Sequence, residues 1–188
     1  MATVASAQEL VTNGSFEMPP IGTGYITVFS GQTTVFGWSV GRDSVDIVSS
    51  IFQPTYPARD GDQLIDLQGV GPGLIEQTLA TVAGQTYDIH FSGSSNTDGH
   101  EMQFFWDGAL QATLINPGQG TWQDYEYFLT ATGSNTVIGF GSQSAPNPAQ
   151  GALIDSVSVQ AVPEPIGVAS LALGLSGLIL RRRKLSSR

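Results

Sequence analysis

The chain has 188 residues, 12% of them charged, with 23 glycines, ten prolines and no cysteine. Five of its seven cations crowd the last eight positions, so from Gln8 to Pro165 only Arg42 and Arg59 stand against all 16 acids, a net charge of −14. A body so anionic and without a basic stripe excludes nucleic acid as a partner, and its lack of Lys and Cys excludes Schiff-base, thiolate and disulfide chemistry.

In chain order, residues 1–7 come first and end in Ala5-Ser6-Ala7, an A-x-A cleavage pattern without the charged and apolar regions that normally precede it. Two readings stand: the remnant of a signal peptide whose start lies upstream, or simply the first residues of the domain. From residue 8 to 161 there is no long helical periodicity, only short runs of β-formers separated by turn signals. Early strands are predicted over Tyr25–Phe29, Thr34–Val40 and Ser44–Val48, then Gln63–Leu67 and Leu74–Ala80. The last two are joined by Gly69-Val70-Gly71-Pro72-Gly73, which lacks the G-x-G-x-x-G spacing and opens no helix, so it reads as a turn and not a phosphate cradle.

Thr86–Gly93 alternates, with Tyr87, Ile89 and Phe91 on one face and Asp88, His90 and Ser92 on the other. A strand over Glu101–Trp106 runs into Asp107-Gly108, the dipeptide of a two-residue type I′ hairpin, and Leu110–Ile115 returns. Trp122–Thr130 sets Tyr125, Tyr127 and Leu129 against Asp124, Glu126 and Phe128. Thr136–Ser142 and Ala152–Gln160 finish the series, separated by a proline-bearing loop, Gln143–Gln150. Ten or so short strands at this spacing predict an all-β chain folded as a single β-sandwich of jelly-roll type.

From 162 to 188 the composition changes. Pro163-Glu164-Pro165 is followed by Ile166–Leu180 without a charge, then by Arg181-Arg182-Arg183-Lys184. Fifteen helical residues span about 22 Å, short of the ~30 Å hydrocarbon core, a gap that snorkelling arginines and local thinning can close. The basic cluster would stay cytoplasmic, with everything before Pro163 outside. This order of features resembles the PEP-CTERM sorting signal of Gram-negative bacteria. The resemblance implies export, transient residence in the inner membrane through a helix over 166–180, processing by exosortase near Pro163-Glu164-Pro165, and a final place at the cell surface or in the extracellular matrix.

The body carries a resemblance of its own. Leu10-Val11-Thr12-Asn13-Gly14-Ser15-Phe16-Glu17, Gly37-Trp38-Ser39-Val40, Ser44-Val45-Asp46, Asp60-Gly61 before Ile65-Asp66-Leu67, Gln77-Thr78-Leu79 before Gly84-Gln85-Thr86-Tyr87, and Leu153-Ile154-Asp155-Ser156-Val157-Ser158-Val159 follow in sequence. The series resembles the choice-of-anchor C family of bacterial surface proteins. It is similar also to a domain of unknown function in plant cell-wall proteins and to carbohydrate-binding modules of the galactose-binding-like fold. The resemblance implies a structural Ca²⁺ between the first and last strands, held by Glu17 and Asp155. Hard carboxylate oxygens suit that ion; the other reading of the two residues is ordinary polar positions at strand ends.

Sugar recognition asks for aromatic faces ringed by polar groups, and Tyr56, Phe105, Trp106, Trp122 and Phe128 are the candidates, with Trp38 assigned to the core. Phe105 and Phe128 lie opposite the residues expected to face inward. Asp124 and Glu126, two apart on one strand, sit about 6–7 Å from each other, within the range of glycosidase carboxylate pairs, though alternating acids are also what a solvated strand face presents. Ser-His-Asp chemistry would have to use His90 or His100, and no nucleophile elbow is present. Two functions are carried forward: a non-catalytic module binding polysaccharide, and a structural biofilm or matrix component without a sugar site. Glycoside hydrolysis is the remote third.

Overall fold

Alternation of side chains between the two faces of each strand decides the architecture, because the inward faces of two sheets pack against each other to form the core. The computed structural model describes residues 8–143 and 150–163. Residues 1–7, Glu164, Pro165, the 166–180 span and the tail with Arg181, Arg182 and Arg183 lie outside the described residues.

Eleven strands occur among the described residues: β1 (Tyr25–Phe29), β2 (Ser39–Arg42), β3 (Ser44–Ser49), β4 (Gln63–Asp66), β5 (Leu74–Ala80), β6 (Thr86–Ser95), β7 (Glu101–Trp106), β8 (Ala109–Ile115), β9 (Gln123–Thr130), β10 (Asn135–Ser142) and β11 (Ala152–Ala161). They form a six-stranded sheet in the order β1-β3-β4-β11-β6-β9 and a five-stranded sheet in the order β2-β5-β10-β7-β8. Neighbours in both sheets pair antiparallel. The expected all-β sandwich is the fold.

The core lies between the sheets and is aromatic at its centre. Phe91 of β6 packs on Phe104 of β7 and Phe140 of β10 at centroid distances of 5.0 and 4.8 Å, and Phe16 packs tilted against Trp38 at 5.3 Å. Tyr87, Ile89 and Phe91 all point into it, as the alternation of β6 requires. Asp107 and Gly108 take φ of 53° and 74°, the two positive angles that a type I′ turn demands, and close the β7–β8 hairpin.

One predicted strand is shorter than its sequence suggests. Over Thr34–Val40 the β-formers Val35 and Trp38 are buried, but only Ser39 onward pairs. Gly37 at φ 83° reverses the chain, and Trp38 N–H bonds back to Val35 O at 2.9 Å. The indole of Trp38 donates to Asn13 O at 3.1 Å, so this stretch plugs the sandwich edge with a turn.

Without disulfides the two ends of the domain are tied by hydrogen bonds. Leu10 N–H donates to Val159 O at 3.0 Å and Val157 N–H to Gly14 O at 2.9 Å. Glu9 accepts from Val159 N–H at 2.9 Å and from the Ser158 hydroxyl.

Candidate functional site

Val45 and Ile47 of β3, like Ile65 of β4 and Leu67 just beyond it, face the core, so Asp46 and Asp66 emerge on the outer face of the six-stranded sheet. The register sets these two acids directly opposite one another, a relation that brings Cβ atoms to about 4.5–5.5 Å. They line a cavity of about 500 Å³, a size typical of small-ligand pockets. Tyr25, paired with Val48 across β1 and β3, stands on one side, and the β3–β4 connection contributes Phe52, Gln53 and Tyr56. Gln68, Gly69, Val70 and Asn96 complete the wall.

The rim is aromatic and open. Tyr25 and Phe52 are 57% and 46% exposed, and their rings lie 5.6 Å apart. The floor is acidic. Asp66, 5% exposed, accepts from Gln68 N–H at 2.9 Å and from the Asn96 amide at 2.7 Å. Burial pushes its carboxyl up to about 7; the Gln68 bond pulls it back, the charge of Asp46 adds to the rise, and the Asn96 bond opposes it. Burial also raises Asp46, against a hydrogen bond from Thr27, and Asp46 Oδ1 has no hydrogen-bond partner. Tyr56 is pushed up to about 12, by burial first and then by both carboxylates, so it stays a neutral phenol.

Among the described residues no cation lines this cavity. Arg42 spends its guanidinium on the carbonyls of Pro72, Gly73 and Ser142. Arg59 pairs with Asp124 at 3.0 Å on a second, shallower depression of about 390 Å³ that includes Asp60, His90 and Ser92.

The five aromatics expected at a sugar site are not one platform. Tyr56 is in the cavity. Trp122 packs beside it on a small apolar cluster with Val48, Leu64 and Leu153, its indole donating to Pro57 O at 3.0 Å. Trp106 is core, stacked 6.1 Å from Tyr87. Phe105 is half-buried on the outer face of the other sheet, while Phe128 is exposed on β9, outside the cavity lining.

Glu17 and Asp155 converge on one turn from its two ends. Glu17 Oε1 accepts from Asp62 and Gln63 N–H at 2.9 and 2.8 Å. Asp155 Oδ2 accepts from Arg59 and Asp60 N–H at 2.8 and 3.0 Å, and its Oδ1 from Ser156 N–H at 2.6 Å. Burial pushes Asp155 up to about 7, against those three donors and aided by the charge of Asp60. Five N–H groups thus point at the two carboxylates, the surroundings of a turn clamp. A Ca²⁺ would have to draw on the lone pairs these donors leave.

Asp124 and Glu126 share the outer face of β9, as their spacing requires. Asp124 is held below the ordinary carboxylate range, chiefly by the Ser92 hydroxyl at 2.6 Å and then by Arg59. That is the opposite of what a general acid needs. Glu126 lies 3.7 Å from His90 Nε2, which is 2.9 Å from Asp88 Oδ1.

The residues that sequence reasoning passed over are Tyr25, Asp46, Phe52 and Asp66. A signal was present: each acid interrupts a short apolar strand, at Ser44-Val45-Asp46 and at Ile65-Asp66-Leu67, where only a special environment tolerates a charge.

The fold defines a class, the β-sandwich shared with carbohydrate-binding modules. It is similar to TmCBM61, solved in complex with β-1,4-galactotriose, with a TM-score of 0.54 at 13% identity, covering 83% of this chain and 100% of that one. It is also similar to arabinose-bound MgGH51 α-L-arabinofuranosidase, with a TM-score of 0.53 at 8% identity, covering 81% of this chain and 26% of that one. Residues 9–160 match the family described as a protein of unknown function (DUF642), and the chain belongs to that family. Halomucin of Haloquadratum walsbyi (strain DSM 16790 / HBSQ001) is 31% identical in an alignment of 174 residues that covers 88% of this chain, which spans 2% of that much longer protein.

Proposed function

We propose that this chain is a non-catalytic polysaccharide-binding module, and that the glycan seats in the cavity over Asp46 and Asp66. The observation that carries the reading is the pair of exposed rings, Tyr25 and Phe52, set 5.6 Å apart at the mouth of a cavity that also presents Asp46, Gln53, Asp66, Gln68 and Asn96. An aromatic face covers the apolar side of a pyranose, and the surrounding amides and carboxylates take its hydroxyls. The galactotriose in the TmCBM61 complex lends support by analogy of fold.

Affinity electrophoresis of the full chain through gels containing single polysaccharides tests the reading. Retardation by a polysaccharide should disappear in Tyr25→Ala and Phe52→Ala, and persist in Phe105→Ala and Phe128→Ala. Retardation lost only in the latter two would move the site to another face. None in any gel would favour a purely structural matrix role.

Export belongs to the same proposal. Pro163-Glu164-Pro165, the 166–180 span and Arg181-Arg182-Arg183 support exosortase sorting through the inner membrane to the surface or matrix of a Gram-negative cell. Deleting 163–165 should leave an unprocessed, membrane-retained form on fractionation. Equal processing with and without the motif would refute that step.

A further inference from the structure

The cavity also carries a selectivity that neither its shape nor its aromatic rim dictates. Its floor holds two carboxyl groups opposed across β3 and β4, and its remaining polar lining is amide and phenol. The only two cations between Gln8 and Pro165 are both engaged elsewhere, Arg42 on three carbonyls and Arg59 on Asp124. A buried acid, Asp66, opposite a half-buried one, Asp46, with no counter-cation among the described residues, creates when ionised a negative field that water screens poorly in a recessed site. Such a field rejects carboxylate and sulfate and attracts an ammonium group. Asp46 Oδ1, buried without a donor, marks where the floor is least compensated.

We infer that the cavity selects sugars bearing a free amino group over N-acetylated sugars, and both over uronates. The inference rests on the cavity being the glycan site. Selection acts through charge, with the rings supplying the common part of the affinity and the acid pair the difference between sugars. Burial, the main cause, raises the proton affinity of both carboxyls, with the charge of Asp46 adding to the rise at Asp66; an ammonium beside them would offset the same loss of solvation.

The test is titration calorimetry of the full chain at about pH 7.5, where the Asp66 carboxyl, titrating at about 7, is mostly ionised and a sugar amine keeps a substantial protonated fraction, with glucosamine, N-acetylglucosamine and galacturonate oligomers of equal length. The expected order is glucosamine tightest, by at least about tenfold over its N-acetylated counterpart, with galacturonate weakest. Asp46→Asn should shrink the glucosamine preference severalfold. Val70→Lys, at an exposed rim position, should reverse it without disturbing the core. Glu126→Gln removes one charge away from the cavity and controls for the general attraction of an anionic surface.

Equal or tighter binding of N-acetylglucosamine, still dependent on Tyr25 and Phe52, would overturn the inference and leave the glycan-binding proposal standing. A preference kept in Asp46→Asn but lost in Glu126→Gln would also overturn it. Absence of binding to all three oligomers would remove both.

Discussion

Alkaline pH should loosen this fold, and the size of the effect follows from Asp66. Its folded carboxyl titrates at about 7 against an ordinary 3.8. Between those values the folded chain keeps a proton that the unfolded chain has released, so stability falls as pH rises. For one such group, integration from pH 5 to pH 8 gives a loss of about 2–3 kcal/mol. Asp155, raised to the same range, adds a loss of the same sign. In a chain of this length each kcal/mol moves the melting temperature by about 2–4 °C, so Asp66 alone should lower it by roughly 5–10 °C across that interval.

Asp124 works in the other direction: its folded pKa is depressed, so its stabilisation is present above 3.8 and lost only as pH falls further. Its contribution is therefore constant between about pH 5 and 8 and adds nothing to the slope there. Circular-dichroism melts at constant ionic strength, for the native chain and for Asp66→Asn, would measure the slope. The native melting temperature should fall with pH, and the variant's should fall markedly less, whatever its starting value. A native profile that is flat or rises from pH 5 to pH 8 would refute the reasoning from burial.

Three further outcomes follow from the geometry. Gly61→Ala should cost about 1–3 kcal/mol in urea denaturation, because Gly61 holds φ +77° and a Cβ would come within 2.5 Å of Glu17 Oε1; an unchanged midpoint would show that the turn can move aside. EDTA should leave the melting temperature unchanged, since the carboxylates of Glu17 and Asp155 already hold backbone N–H donors; a fall of several degrees, reversed by added Ca²⁺, would instead establish the metal. Trp106→Ala should cost about 3–5 kcal/mol as a core truncation, whereas Phe128→Ala, on a side chain 57% exposed, should stay within about 0.5 kcal/mol; the reverse order in chemical denaturation would contradict the assignment of their faces.

How much of this was legible beforehand depended on the range of the interaction. Strand alternation is local, so Tyr87, Ile89 and Phe91 could be placed inward and Asp88 and His90 outward from β6 alone. The Asp107-Gly108 hairpin is more local still, because backbone preference at two residues fixes it. Thr34–Val40 misled for the same reason: Val35 and Trp38 are β-formers, but Gly37 and the bond from Trp38 to Asn13 turn the segment into a plug. Propensity gave way there to burial of a large aromatic, which a turn achieved better than a strand.

The cavity could not be read locally at all. Asp46 and Asp66 are 20 positions apart, and only the register of β3 on β4 makes them face one another. Tyr25 joins them through the pairing of β1 with β3, and Phe52 through a connection whose path no periodicity describes. Aromatic residues therefore made a poor guide when taken by type, because Trp106 serves the core and Phe105 the opposite sheet. Acids interrupting apolar strands make a better guide. A carboxylate tolerated in Ser44-Val45-Asp46 or Ile65-Asp66-Leu67 must face water, a partner or a ligand, and in this sheet two of them share one recess that no cation among the described residues lines.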